Sequence, residues 1–134
     1  MVDDATAAYI VENQKCFEDL KQVASQLAGL LVLAAAGSKE AAPDHPALLR
    51  ARELFREAVP RARPTERALA HHTHLLRAAA AIGVALKEAD RSLNVDRILT
   101  PLRAGYAELE RAASALPGFE MVSYERACCG LGAQ

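Results

Sequence analysis

Three histidines within four residues, His71-His72-Thr73-His74, and three cysteines, Cys16, Cys128 and Cys129, are the side chains of this sequence best suited to chemistry. Neutral imidazole and thiolate together make a ligand set for zinc or another soft metal. Imidazole alone can carry a proton near neutral pH or act as a nucleophile. Cys128 and Cys129 are adjacent, with Cα atoms ~3.8 Å apart, below the usual disulfide span, so two thiols are expected rather than a bridge between them. No Cys-x-x-Cys is present. A metal- or thiol-dependent site would therefore have to be assembled by the fold, from His71, His72, Cys16, Cys128 and Cys129.

The histidines belong to a helical segment whose apolar stripe reads Ala68, Leu75, Ala79, Ile82, Leu86, Ala89 and Leu93. Steps of three and four residues return to one helix face. At ~100° per residue this phase puts His72 near the middle of the stripe, His71 at its edge and His74 well round toward solvent. His72 is accordingly expected as a buried neutral imidazole, hydrogen-bonded to a neighbouring helix or to water.

The run from His74 through Arg77 and Ala78 to Gly83 resembles the phosphoacceptor segment of histidine phosphotransfer domains. That family consists of four-helix bundles in which an exposed histidine is followed three residues later by a basic one. The resemblance implies His74 as phosphoacceptor. In this sequence Ala78 stands where that family usually has glycine, and Gly83 comes one residue early.

Capping and breaking residues divide the chain into four helices, expected at about 5–36, 45–59, 65–91 and 100–116. The first carries Ile10, Phe17, Leu20, Ala24, Leu27, Leu31 and Ala34, and it widens near Val32 until it is apolar almost all round. Its apolar core is shorter than the ~20 residues of a bilayer span, so a buried helix is predicted. Gly37 ends it. Asp44 or His45 caps the second helix with Pro46 in its first turn, and Pro60 closes it. Thr65 starts the third. The fourth is expected from Thr100-Pro101, with Asn94 to Leu99 as an earlier turn that Pro101 would kink; its stripe reads Leu99, Leu102, Tyr106, Leu109, Ala113 and Leu116. Pro117-Gly118 leads into a tail, 117–134, expected to be extended and pinned by Phe119, Val122 and Tyr124.

The fold class predicted is therefore all-α: a four-helix up-and-down bundle with an extended C-terminal tail, in one domain of 134 residues. Such a topology puts the starts of helices 1 and 3 and the end of helix 4 at one end, where the candidate ligands meet if helix heights agree. The short second helix allows a mismatch of ~20 Å.

Composition bounds the function. Hydrophobic residues make up 51% and charged residues 25%, which fits a globular chain. Twenty-nine alanines with 4% aromatics suit close helix packing. A net charge of −1 argues against a nucleic-acid or anionic-membrane binder. Six arginines between Arg50 and Arg67 are interleaved with Glu53, Glu57 and Glu66, as on a solvated helix face. The amino terminus lacks the pattern of a secretory signal, so a cytoplasmic location is expected. There is no Gly-rich phosphate loop, Gly-x-Ser-x-Gly elbow or His-Glu-x-x-His pair. Glu108 and Glu110 read as a solvated face. The expected function is a binding or scaffold module for a protein or small ligand, assembled as a homodimer through the broad apolar surface of helix 1, with no catalytic residue.

Overall fold

Short polar side chains fix where the helices start. Asp3 accepts from the Thr6 amide at 2.7 Å, His45 Nδ1 from the Ala47 amide at 3.0 Å, and Asn94 from the Arg97 amide at 3.1 Å. Each satisfies a donor that the first helical turn leaves without an internal partner. The computed structural model describes residues 3–60 and 63–121, in which these caps open α1 (Asp4–Ala35), α2 (Pro46–Glu57) and α4 (Val95–Ala115), while α3 spans Leu69–Arg91. The four form an up-and-down bundle, with no strand among the described residues. No helix among them is long and apolar enough to cross a membrane.

At the end of α1 the Ser38 amide donates to the Leu33 carbonyl and the Gly37 amide to the Ala34 carbonyl, both at 3.0 Å. This closure needs a left-handed residue, supplied by Gly37 at φ 77°. Two helix starts differ from the sequence expectation. Thr65 does not begin α3; its carbonyl and hydroxyl oxygens both accept from the Ala68 amide, at 3.0 and 3.2 Å, and close a turn before the helix. α4 begins at Val95 rather than Thr100, because Asn94 provides the cap and Pro101 is absorbed inside the helix. Proline there removes one intrahelical donor, that for the Arg97 carbonyl.

The buried seams keep part of the predicted stripes, Ala68, Leu75, Ile82, Leu86 and Ala89 on α3 and Leu102, Leu109 and Leu116 on α4, and shift by one residue at most other positions. On α3 the seam runs through Ala68, His71, Leu75, Ala78, Ile82, Ala85, Leu86 and Ala89, and on α4 through Ile98, Leu102, Gly105, Leu109, Ala112 and Leu116. These two helices form the most extensive interface of the bundle, while α1 packs against all three others. Gly105 permits the close approach: a Cβ there would lie 2.7 Å from Ile82 Cγ1 and 3.4 Å from the Ala78 carbonyl oxygen. Phe55 from α2 reaches Gly83 on α3, and Arg52 pairs with Asp90.

After α4, Gly118 turns the chain at φ 99° and Phe119 is buried against α1 and α3. The Lys21 ammonium donates to the Glu120 carbonyl and lies 5.5 Å from the centre of the Phe17 ring. Residues 117–121 thus form a strap tied to α1. The remainder of the expected tail, with Val122, Tyr124, Cys128 and Cys129, lies outside the described residues.

Gly105→Ala is expected to lower stability by about 1–2 kcal/mol in urea unfolding, because overpacking against Ile82 and the α3 backbone outweighs the helix propensity gained. Gly29→Ala, where nothing lies within 4 Å of the added methyl, is expected to raise it by up to about 1 kcal/mol.

Candidate functional site

The polar residues of α1 recur at Thr6, Tyr9, Asn13 and Cys16, all buried and spaced to lie on one face. That face meets the start of α3. Thr6 and Thr65 share a hydroxyl–hydroxyl hydrogen bond at 2.8 Å, so the two helix starts lie at one height and the feared mismatch along the bundle does not occur here. One turn further, the Tyr9 hydroxyl lies 2.8 Å from His71 Nδ1 and 3.1 Å from His72 Nδ1.

His71, not His72, is the buried histidine. Its relative exposure is 0%, whereas His72 is half-buried. The imidazole of His71 stacks on Phe119, with ring centres 4.0 Å apart, and meets the edge of the Tyr9 ring at 5.4 Å. Its Nε2 is buried with no hydrogen-bond partner among the described residues. An orphaned N–H in that position would cost more than an orphaned lone pair, which places the hydrogen of His71 on Nδ1. His71 Nδ1–H then donates to the Tyr9 oxygen, and the Tyr9 hydroxyl donates to His72 Nδ1.

Burial holds His71 neutral, lowering its pKa to about 4, with the charges of His72 and His74 acting in the same direction. Burial also lowers that of His72 and raises that of the Tyr9 hydroxyl, which the nearby Cys16 thiol raises further. These are the shifts of a dry cluster, not of an exposed site.

Cys16 is buried seven residues beyond Tyr9, about 10 Å along the helix. Among the described residues no group of three or more His, Cys, Asp or Glu side chains converges to hold a metal ion. His71 and His72 do come together, but on the Tyr9 hydroxyl, and the partners proposed for them at Cys128 and Cys129 lie outside the described residues.

His74 forms a separate arrangement. Rather than facing open solvent, it is half-buried against α4, with Nδ1 2.6 Å from Glu108 Oε2. Arg111 holds the other carboxylate oxygen at 2.7 Å. A carboxylate only accepts, so Nδ1 carries the hydrogen, and Nε2 is the ring nitrogen not engaged by Glu108. The His74 hydrogen bond and then that of Arg111 hold the Glu108 carboxyl below its ordinary pKa, against the opposing effect of burial. Glu108, read from sequence as part of a solvated face, has a side chain only 14% exposed. Its i,i+3 relation to Arg111 was legible, but its pairing with His74 across 34 residues was not. Tyr9 was likewise missed, although Tyr9-Asn13-Cys16-Leu20 has helical spacing.

A third feature is a groove of ≈ 630 Å³ between α1 and α4. Ala24, Ala28, Leu99 and Leu102 line its apolar part, and Tyr106, Lys21, Arg103 and Met121 stand around it. Tyr106, expected in the α4 seam, is 41% exposed here because of the rotated phase. Comparison with protein-family models, with curated proteins and with solved structures gives no match. The phosphotransfer resemblance gains no support from these comparisons.

Acid is expected to destabilise the fold through His71. The unfolded histidine binds its proton near pH 6.5 and the folded one only near 4, so this contribution is fully present above 6.5 and is lost as pH falls toward 4. By pH 5 the loss reaches about 2 kcal/mol. Urea unfolding midpoints between pH 7 and 5 measure it, and His71→Leu flattens the slope.

Proposed function

We propose that this protein is a non-catalytic binding module whose ligand seat is the groove between α1 and α4. The observation that carries the reading is the contrast between two seams of one bundle. The α3–α4 seam is closed to backbone contact at Gly105, whereas the α1–α4 seam leaves a cleft of ≈ 630 Å³ with an apolar floor. That volume falls within the range of small-molecule sites. A close-packed bundle of this composition has no physical need of such an opening.

A homodimer belongs to the same proposal. Leu30 and Leu31 of α1 are buried within the chain, but Val11 and Val32 of the same helix are exposed, as are Leu69, Leu76 and Val84 of α3. These side chains are the apolar surface that the two helices offer to a second copy.

The groove is tested with N-phenyl-1-naphthylamine, a neutral apolar dye. Binding by the wild type, weakened about tenfold or more in Ala28→Phe with unchanged circular dichroism, is the expected result. Equal binding by both proteins, or none by the wild type, overturns the reading.

A second reading is favoured by the His74–Glu108–Arg111 arrangement. With Nδ1–H committed to Glu108, Nε2 is the nucleophilic atom, and His74, Arg111 and Ser114 line a cleft of ≈ 490 Å³. In this reading Nε2 forms a bond to the phosphorus of an acyl phosphate as the bond from phosphorus to the acyl oxygen breaks, and Glu108 offsets the positive charge on the ring. Incubation with labelled acetyl phosphate is expected to give an acid-labile label on the wild type and none on His74→Gln. An unlabelled wild type ends this reading.

A further inference from the structure

The groove is not electrically uniform. At its edge on α1, Lys21 is committed: it lies 3.3 Å from Glu18 and donates to the Glu120 carbonyl. On α4, Arg103 lines the groove beside Leu99 and Leu102, is exposed, and makes no ion pair among the described residues. Glu110 also lines the groove, but seven residues further along α4, about 10 Å away. With antiparallel α1 and α4, Glu18, Lys21 and Glu110 lie toward one end, with one cation against two carboxylates. The other end, with Ala28 and Leu99, has no charge. Arg103 stands between them as the cation whose charge no neighbouring carboxylate offsets. Its guanidinium offers a planar set of donors to a carboxylate, while Ala24, Ala28, Leu99 and Leu102 offer an apolar group a surface beside Gln22 and Ser25.

We infer that the groove binds an amphipathic anion: an aliphatic or aromatic carboxylate whose apolar body lies on Ala24, Ala28, Leu99 and Leu102 and whose carboxylate meets Arg103. This inference rests on the groove being the ligand seat and adds the chemical class of the ligand. Burial of the apolar body supplies most of the affinity, at about 25 cal/mol per Å² removed from water. The charge at Arg103 supplies discrimination. Cations are disfavoured there, and the carboxylates of Glu18 and Glu110 disfavour an anion bound in the opposite sense.

Three probes of equal chain length separate the contributions: decanoate, decanol and decyltrimethylammonium, each below its aggregation threshold and each competed against N-phenyl-1-naphthylamine. Decanoate is expected to bind tightest, to lose about 2- to 5-fold in affinity in Arg103→Gln, and to retain most of its affinity in Arg103→Lys at low salt. Decanol is expected to be unaffected by Arg103→Gln. Ala28→Phe weakens every probe that binds. If decanol or decyltrimethylammonium binds as tightly as decanoate, or Arg103→Gln leaves decanoate unchanged while Ala28→Phe still blocks the probes, the anion inference fails and the groove stands. If no probe responds to Ala28→Phe, both fail. Circular dichroism and urea midpoints of each variant exclude loss of fold as the cause.

Discussion

The Tyr9 hydroxyl can donate one hydrogen bond and accept two, and the first turns of α3 present it with two ring nitrogens. The hydrogen of the phenol is used as well when one imidazole donates and the other accepts, which links the tautomers of His71 and His72 to the orientation of one phenol. The link also fixes the height of α3 relative to α1, together with the Thr6–Thr65 contact between α1 and the turn that leads into α3. An apolar contact tolerates sliding, whereas a shared hydroxyl between three rings has one register. Alanine-rich helices, whose small side chains pack in many registers, depend on such a polar pin for a unique arrangement.

Around this pin the core is aromatic in an otherwise aliphatic protein. Tyr9, Phe17 and Phe119 surround His71, and Phe119 comes from the strap after α4 rather than from a helix. The ring of Phe119 lies over the imidazole while the backbone one residue later accepts from Lys21. The end of α4 is thereby closed onto α1. The same closure leaves the middle of the α1–α4 seam open, since the strap spans the two helices at one end and α3 draws α4 toward itself at Gly105.

What the sequence made legible depended on side chains that act locally. Gly37 and His45 work within their own turns, so the end of α1 and the start of α2 followed from residue type. The phase of α3 did not. Ala78 to Ala81 are four consecutive alanines, and a run of identical side chains carries no angular information. Leu75, Ile82 and Leu86 are buried as expected, but they leave open by one residue whether the seam passes through Ala78 and His71 or through Ala79 and His72. That one residue exchanged the roles of His71 and His72. On α4 the same ambiguity arose because glycine was not counted as a buried residue, so Gly105 was passed over and Tyr106 put in its place. The pairing of His74 with Glu108, and of Tyr9 with both histidines, joins residues 34 to 63 positions apart. No periodicity within a helix encodes such contacts.

Lys21 has a place in two structures at once. Its ammonium holds the strap through the Glu120 carbonyl, its position over the Phe17 ring adjoins the His71 enclosure, and the same side chain stands at the edge of the α1–α4 groove. Enclosure and groove therefore share a wall and are not independent compartments. By thermodynamic reciprocity, whatever free energy a group in the groove contributes to the strap, the strap returns to that group. A change at Lys21 therefore alters the strap over His71 and the edge of the groove together.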